Sequence, residues 1–254
     1  MKELDFEVVQ LGGLPVAVTN RASSAVAMIA AAIGRRGSDL PPLYVTSANG
    51  EVMSSCAKDP AVKALFTAAD AIHADGMPMV WASRILCRSP LPERVATTDL
   101  FHDVASRAVP TGATFYMLGA TPDALAKAAR NVRRLHPGLR LIGTHHGHFA
   151  PSDEARIVRE IAGLKPDILW VAMGVPREQA FVLRNRDALA GVGLVKTSGG
   201  LFDFLSGDRK RAPDWMQAAG LEWLFRLSLE PRRLLRRYAL TNPHALFLLA
   251  TRSA

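Results

Sequence analysis

Short apolar runs alternate with longer segments of helical periodicity through most of the chain. The runs at residues 113–119 and 166–174 read ATFYMLG and PDILWVAMG, and they are typical of buried strands. The segments between such runs repeat apolar residues every three or four positions, as amphipathic helices do. Because strand and helix alternate, the sequence predicts an α/β fold: a Rossmann-like, mainly parallel sheet with right-handed crossovers, flanked by helices.

A hairpin is predicted ahead of this alternation, because two apolar runs flank the pair Gly12 and Gly13. Helix boundaries follow from capping residues and prolines; Thr121 and Pro122, for example, predict the start of a helix. The remaining predicted strands are residues 41–49, 71–74, 139–149 and 192–200. The predicted helices are residues 25–33, 59–69, 77–86, 97–108, 121–135, 152–164 and 176–189.

The part of the chain after residue 204 has a different pattern. It is predicted to be a helical, basic appendage, residues 205–254, on a Rossmann-like domain of residues 1–204. At about 100° per residue, the arginines of PRRLLRRY fall on one side of a helix, and its leucines and tyrosine fall on the other. Such a helix can lie on an anionic membrane surface or fold over a phosphate-bearing ligand, and it is equally typical of an ordinary surface helix.

Composition and charge narrow the function classes. Of the 254 residues, 49% are hydrophobic and 21% are charged, which is typical of a globular protein and argues against a disordered one. The net charge is +8, and residues 205–254 hold nine Lys or Arg against four Asp or Glu. This segment is therefore expected to contact something negative: phospholipid, a phosphorylated substrate or nucleic acid.

Cysteine usage and apolar run lengths bear on the compartment. Cys56 and Cys87 lie far apart without metal-ligand spacing, which favours a reducing cytoplasm over a disulfide scaffold. The first ten residues carry acids and lack the apolar core of a signal peptide. No run approaches the roughly 18 apolar residues of a spanning helix. We expect a cytoplasmic protein that meets any membrane from one side.

Glycine-containing loops follow three predicted strands, at residues 118–124, 173–179 and 197–204. In a parallel sheet such loops share one edge, where backbone N–H groups and helix N-termini suit phosphates. Gly119 and Gly174 are candidates in the first two loops. Each loop alone is typical of an ordinary turn, but three together favour a nucleotide-type pocket. The G-x-G-x-x-G fingerprint is missing, which argues against a standard dinucleotide site.

Polar side chains at other strand ends are candidates for chemistry. Asp75 directly follows a strand, where a carboxylate can act as a general base, bind a ribose or a metal, or only cap a helix. Ser47 and Asn49 can bond a sugar or a base, or only form a turn. The histidines within residues 145–148 have no nearby acidic partner to complete a ligand set, so no metal site is predicted.

These residues lie in ordered blocks that extend over nearly the whole length. The blocks are TSANGEVM, ADGMPMVWASR, PERVATTDLF, FYMLGATPDALAKAARNVRRLHPGLRLIGTHHGHF, PDILWVAMGVPREQAF, GGLFDFLSGDRKRAPDWM and GLEWLFRLSLEPRRLLRRY. The most distinctive is the last part, where RAP is followed by EW, RL, EP and RR. In these blocks the chain resembles the TagA/WecG/CpsF family of bacterial glycosyltransferases (glycosyltransferase family 26).

The resemblance implies an enzyme that moves a sugar from a UDP-sugar to a polyprenyl-diphosphate-linked saccharide. The sugar would be of the N-acetylmannosamine or the glucose type, and the product would enter cell-surface polysaccharide. The enzyme would be peripheral on the cytoplasmic face of the cell membrane, and a homo-oligomer is compatible with the resemblance. Inversion at the anomeric carbon without an essential metal is expected, so no cofactor is predicted besides the UDP-sugar substrate.

The resemblance also implies roles for individual residues. Asp75 of the DG block becomes the general base. The chain departs from the family at Glu178 and Gln179, where the order is usually Gln-Glu, so a different donor sugar or a shifted role is expected there. The substrate-binding residues predicted in this way are Ser47, Asn49, Arg94, Gly119, Gly174, Glu178, Gln179 and Asp203. Serine stands at residue 47 where threonine is common.

With no metal, arginines of the appendage are expected to stabilise the departing diphosphate or to bind lipid headgroups. The candidates are Arg211, Arg226, Arg232, Arg233, Arg236 and Arg237. Two alternatives remain at this stage. A nucleotide-binding oxidoreductase is disfavoured by the missing glycine fingerprint. A non-enzymatic nucleic-acid-binding domain is disfavoured because the apolar stripe of the tail is more typical of membrane or core contact, so no nucleic acid partner is predicted.

Overall fold

The computed structural model describes residues 4–254. Within these residues, six strands form one parallel sheet, and a separate antiparallel hairpin precedes it. The hairpin consists of β1 (Val8–Leu11) and β2 (Leu14–Ala17). The strands of the sheet are β3 (Leu43–Ala48), β4 (Ala71–Ala74), β5 (Thr114–Gly119), β6 (Arg140–His145), β7 (Ile168–Ala172) and β8 (Leu194–Thr197).

The strand order is β4-β3-β8-β7-β5-β6, so the chain reverses its direction across the sheet twice, after β4 and after β6. All pairings in the sheet are parallel, and the carboxyl ends of the strands therefore lie along one edge. Ligands of open α/β sheets bind at that edge. The predicted Rossmann-like parallel sheet is confirmed.

Helices connect the strands and cover both faces of the sheet. They are α1 (Arg21–Gly34), α2 (Gly50–Lys58), α3 (Pro60–Thr67), α4 (Met77–Leu86), α5 (Thr97–Thr111), α6 (Pro122–Leu135), α7 (Glu154–Leu164), α8 (Arg177–Asn185), α9 (Leu201–Leu205), α10 (Asp214–Ala218), α11 (Glu222–Leu229) and α12 (Pro231–Thr251). Short 3-10 turns occupy Pro151–Asp153 and Asp187–Leu189.

Alternating side chains of each strand pack on opposite helical layers. Along β5, Phe115 and Met117 join the core formed with α1, α5, α6 and α9. Tyr116 and Leu118 join the core formed with α7 and α8. Because strands buried on both faces need apolar residues at every position, they read as continuous apolar runs, and this is why the sequence predicts them well.

A third apolar core lies beside β4 and includes the end of the chain. Leu11 of the hairpin, Met53 of α2, Met79 of α4 and Leu248 of α12 are all buried in it. The chain terminus also continues the hairpin, because Ala254 exchanges two backbone hydrogen bonds with Gln10, of 3.0 and 3.2 Å. Residues 214–251 contain helices α10, α11 and α12, and the last of these is built into the body of the protein.

Two helices in this structure were not predicted. The first, α2, begins directly after Asn49, whose side-chain oxygen accepts a hydrogen bond of 3.1 Å from the Val52 N–H and caps the helix. The second, α9, is a single turn that starts after Gly200. The helix predicted at residues 97–108 is α5, which begins at Thr97 with Ala96 in the N-cap position and no side-chain cap.

Candidate active site

Two adjacent cavities lie at the carboxyl edge of the sheet. The first cavity, of about 340 Å³, lies beyond β3 and β4 and is closed by α11 and α12. The second cavity, of about 320 Å³, lies beyond β5, β7 and β8. Helix α9 forms the partition between them, because Phe204 lines the first cavity while Phe202 and Asp203 line the second.

Asp75 lies in the wall of the first cavity, one residue past the end of β4. Its Oδ2 accepts hydrogen bonds from the backbone N–H and the hydroxyl of Thr97, at 3.2 and 3.1 Å. Its Oδ1 lies 3.6 Å from Arg94 Nε, and 26% of the side chain is exposed. The following helix, α4, receives no side-chain cap. The carboxylate is thus held on one side and open on the other, as a general base must be.

Ser47, predicted as a substrate contact, lies behind Asp75. Its hydroxyl is 3.1 Å from Thr97 Oγ1 and accepts a hydrogen bond of 2.8 Å from the ammonium of Lys196. Lys196 was not among the predicted site residues, although a lysine inside an apolar strand is itself a signal of a functional or paired charge. Asn49, the other member of the pair, caps α2 and also lines the first cavity.

Lys196 is fully buried on β8. Burial lowers the pKa of the Lys196 ammonium to about 8, and the carboxylates of Asp75 and Glu178 oppose this shift. The ammonium also donates to the carbonyl oxygen of Thr197 at 2.9 Å. A positive charge therefore lies beneath the sheet edge, between the walls of the two cavities.

Ion pairs connect the appendage to the first cavity. Arg94 Nη2 donates to Glu222 Oε2 at 2.7 Å, and Glu222 stands in the first turn of α11. Arg211 lies 3.6 Å from the same carboxylate and also pairs with Asp99 at 2.5 Å. Asp75, Arg94, Glu222, Arg211 and Asp99 thus form a row of alternating charge.

The structure divides the predicted arginines of the appendage into three groups. Arg226 and Arg237 line the first cavity, and Arg237 lies 3.2 Å from Glu51. Arg211 is held in the ion-pair row. The other three, Arg232, Arg233 and Arg236, are exposed on the outer face of α12. The expected separation of faces is incomplete, because Leu235 is 60% exposed among these arginines.

The second cavity is lined by backbone and by cations. Its wall includes the loops at Ala120, Gly174 and Gly199. Arg177 also lines it and donates to the Gly147 carbonyl oxygen at 2.9 Å, while Arg209 lies 3.3 Å from the predicted residue Asp203. Neither arginine was among the predicted site residues. Loop amides, helix N-termini and guanidinium groups together suit a diphosphate.

Glu178 and Gln179 lie beneath this wall, with about 1% of each residue exposed. The Glu178 carboxylate accepts hydrogen bonds from the backbone N–H groups of Met173, Gly174 and Gly199, at 2.9 to 3.2 Å. Burial raises the pKa of Glu178 to about 7, although these N–H donors and the Lys196 ammonium oppose the shift. Glu178 therefore ties together two loops of the second cavity, and its predicted contact with substrate remains a prediction.

Gly119 has a structural reason to be glycine. Its φ is +148°, and an added Cβ would lie 2.1 Å from the Ala172 carbonyl oxygen, so β5 and β7 approach too closely for any side chain. Gly174, with φ +83°, has open space around its α-carbon and lines the second cavity.

Two features of residues 4–254 bear on metal binding and on membrane insertion. No group of three or more His, Cys, Asp or Glu side chains in this range is arranged to hold a metal ion. No helix in the same range combines the length and the apolar character needed to span a bilayer. Of the predicted histidine cluster, His148 lines the second cavity.

Comparison with known proteins confirms the resemblance seen in the sequence. The profile described as "Glycosyl transferase WecG/TagA/CpsF family" matches residues 9–254. The chain is also 31% identical over 193 residues to an N-acetylglucosaminyldiphosphoundecaprenol N-acetyl-beta-D-mannosaminyltransferase of Bacillus spizizenii. That alignment covers 75% of this chain and 72% of the relative.

Proposed function

The chain belongs to the WecG/TagA/CpsF family of glycosyltransferases, and we propose that it moves a sugar from a UDP-sugar to a polyprenyl-diphosphate-linked saccharide. The name of the Bacillus relative points to the first pair of substrates to test: UDP-N-acetylmannosamine as donor and N-acetylglucosaminyl-diphosphoundecaprenol as acceptor. A glycosyltransferase also replaces the two alternatives that the sequence left open, an oxidoreductase and a nucleic-acid-binding domain.

The second cavity receives the UDP portion of the donor. Support comes from the loop amides at Gly174 and Gly199 and from the guanidinium groups of Arg177 and Arg209, all of which line this cavity. Such groups neutralise a diphosphate that becomes more negative as the glycosidic bond breaks. In this proposal the arginines do the work that a divalent cation does in other transferases.

The first cavity receives the acceptor. Its wall contains Asp75 beside apolar side chains such as Met53 and Leu249, and it also contains Arg226 and Arg237. Apolar groups suit the polyprenyl chain, and arginine suits the acceptor diphosphate. The acceptor hydroxyl would then approach the donor sugar across the partition formed by α9.

The reaction is a displacement with inversion. Asp75 removes the proton from the acceptor hydroxyl, and the oxygen bonds to the anomeric carbon of the donor sugar. The bond from that carbon to UDP breaks on the opposite face, and UDP leaves with the electron pair. The observation that carries this proposal is the placement of Asp75, which is held by Thr97 and Arg94 and opens into the first cavity.

We further propose that the enzyme acts at the cytoplasmic membrane face, with the outer face of α12 against the lipid. Support comes from the exposed Arg232, Arg233 and Arg236 and from Leu235 and Leu240, which are 60% and 58% exposed. Basic and apolar groups on one helix face bind anionic bilayers by charge and by shallow burial.

The test is transfer by the wild type and by Asp75→Asn, with a panel of UDP-sugars and the lipid-linked acceptor in detergent. Loss of at least about a hundredfold in rate with UDP binding retained is the expected result for a general base. Asp39→Asn is the matched control, since that carboxylate is 91% exposed and distant from the cavity lining. Full activity of Asp75→Asn would remove Asp75 from catalysis, and the absence of UDP binding by the wild type would overturn the transferase proposal.

A further inference from the structure

Lys196 is a buried charge that the proposed reaction does not yet use. It lies on β8, next to β3 in the sheet, and none of its surface is exposed. Charged lysines are almost never fully buried unless they are paired. The three protons of its ammonium require partners, and the structure supplies Ser47 Oγ at 2.8 Å and the Thr197 carbonyl oxygen at 2.9 Å.

The contact with Ser47 continues to Asp75. Thr97 Oγ1 donates to Asp75 Oδ2 at 3.1 Å, so its lone pairs remain free to accept a hydrogen bond. Ser47 Oγ lies 3.1 Å from Thr97 Oγ1, and it accepts from Lys196, so its own proton points to Thr97. Every hydrogen bond therefore runs in one direction, from the ammonium to the carboxylate. An aligned chain of this kind strengthens its members and fixes their geometry.

The electrostatic surroundings agree with a protonated Lys196. The titratable groups that face it are Asp75, Glu178 and His73. The two carboxylates favour the ammonium form, while burial and the Lys196 charge lower the pKa of His73 to about 3 and keep that ring neutral. Near neutral pH, Lys196 is the cation of this buried group.

We infer that Lys196 is a positioning residue for glycosyl transfer, acting on Asp75 through Ser47 and Thr97. This chain of hydrogen bonds fixes Asp75 Oδ2 and leaves Asp75 Oδ1 to take the proton of the acceptor hydroxyl. This inference rests on the proposed function of Asp75 as the base. It adds a residue that touches neither substrate nor cavity and sets the orientation of the reacting carboxylate.

The test compares Lys196→Met with the wild type by steady-state kinetics and by UDP binding. The expected result is a fall in kcat of about ten- to a hundredfold, the range caused by misplacing a reacting group. The donor KM and the Kd for UDP stay within about twofold, since uniform binding is unaffected. The acid limb of the pH–rate profile moves to higher pH, because a carboxylate that loses a nearby cation holds its proton more tightly. Lys58→Met, at an exposed lysine, is the matched control.

Ser47→Ala provides a second test, because it breaks the chain and leaves the lysine in place. Ser47→Ala and the double variant with Lys196→Met should both show the fall in kcat of Lys196→Met, since residues of one hydrogen-bond chain are not additive. The acid limb should move in the double variant but not in Ser47→Ala, which keeps the Lys196 charge. If Lys196→Met does not fold, the kcat of Ser47→Ala at an unchanged Kd for UDP decides. Wild-type kcat in Lys196→Met and in Ser47→Ala, with Asp75→Asn inactive, would overturn the inference alone. An active Asp75→Asn would instead overturn the proposed function.

Discussion

Glu222 of the appendage accepts a hydrogen bond of 2.7 Å from Arg94, and Arg94 at the same time lies 3.6 Å from Asp75. The side chains of Arg94 and Glu222 are 14% and 19% exposed, so this pair is largely shielded from water. A shielded charge pair is strongly perturbed when one partner is removed. The packing of the appendage and the orientation of Arg94 beside the proposed base therefore depend on the same ion pair.

Glu222→Gln should lower the rate of transfer by about tenfold while the fold is retained. Arg94 would lose its charged partner and turn toward Asp75, which would tighten that ion pair and make the carboxylate a weaker base. Steady-state kinetics with the lipid-linked acceptor measures this. The control is Glu230→Gln, because the one ion pair of Glu230 within residues 4–254 is with Arg233 at the exposed start of α12. Equal rates for both variants would separate Arg94 from the appendage.

A second prediction concerns the donor pocket. Arg209→Met should raise the donor KM by about ten- to a hundredfold, because a hydrogen bond to a charged group is worth about 1.5 to 3 kcal/mol. Arg232→Met removes the same charge from the outer face of α12 and should leave the KM unchanged. Titration of both variants with UDP measures the difference directly. A wild-type affinity of Arg209→Met for UDP would contradict the proposal that the second cavity binds the diphosphate.

The sheet could be predicted from the sequence because its strands are buried on both faces. The run at β7, ILWVA, is apolar and buried at all five positions. Helix α6 could be predicted from its ends, since the Thr121 side chain caps the Ala124 N–H at 3.2 Å and Pro122 follows. The signals for β7 and α6 come from residues that are close together in the sequence, so a local sequence pattern identifies both elements.

Helix α2 was missed for a related reason. Asn49 was interpreted as a ligand group, and Gly50, Ser54 and Ser55 weaken the helical pattern that follows. The helix forms because its buried side, including Val52 and Met53, packs against the hairpin and α12, which are distant in sequence. Tertiary packing overrides weak local propensity here.

Local sequence pattern predicts candidate site residues best where a residue directly follows a strand. Asp75 was found in this way. Lys196 and Glu178 were not understood, because their partners are decided by the strand order: Ser47 lies 149 positions from Lys196, and Gly199 lies 21 positions from Glu178. No short stretch of the sequence indicates that β3 and β8 are neighbours in the sheet.

Two glycine substitutions should have opposite effects on stability. Gly119→Ala forces a Cβ to 2.1 Å from the Ala172 carbonyl oxygen at a φ of +148°, and should cost about 3 kcal/mol or more of unfolding free energy. Gly163 occupies an exposed position of helix α7, and a Cβ added there would have no atom within 4 Å. Gly163→Ala should therefore add about 0.5 to 1 kcal/mol to the free energy of unfolding. Denaturant unfolding measures both. A mild Gly119→Ala would mean that β5 and β7 can separate at little cost.

Acid stability should depend on His73. Burial lowers the pKa of this ring to about 3, below its ordinary 6.5, and neither ring nitrogen has a hydrogen-bond partner among residues 4–254. The unfolded chain therefore binds more protons than the folded one as pH falls from 6.5 to 3, so wild-type stability is lost over that window. His73→Leu should remove this loss, which amounts to about 2 kcal/mol at pH 5. Denaturant unfolding of the wild type and of His73→Leu at pH 7 and pH 5 measures this difference. An equal loss of unfolding free energy in both proteins would contradict a buried, neutral ring at residue 73.

Membrane binding should depend on where positive charge lies and not only on how much there is. Changing Arg232 and Arg236 to Gln removes two positive charges from the outer face of α12. Each such charge contributes about 1 kcal/mol of binding free energy near an anionic surface. Binding to phosphatidylglycerol vesicles should then weaken by about thirtyfold, and the residual binding should depend less on salt. Arg133 and Arg134 are equally exposed on α6, and changing both to Gln removes the same charge from a different surface. Vesicle sedimentation at low and high salt compares the two double variants. Equal losses would mean that net charge alone drives adsorption, and that the outer face of α12 has no special role at the membrane.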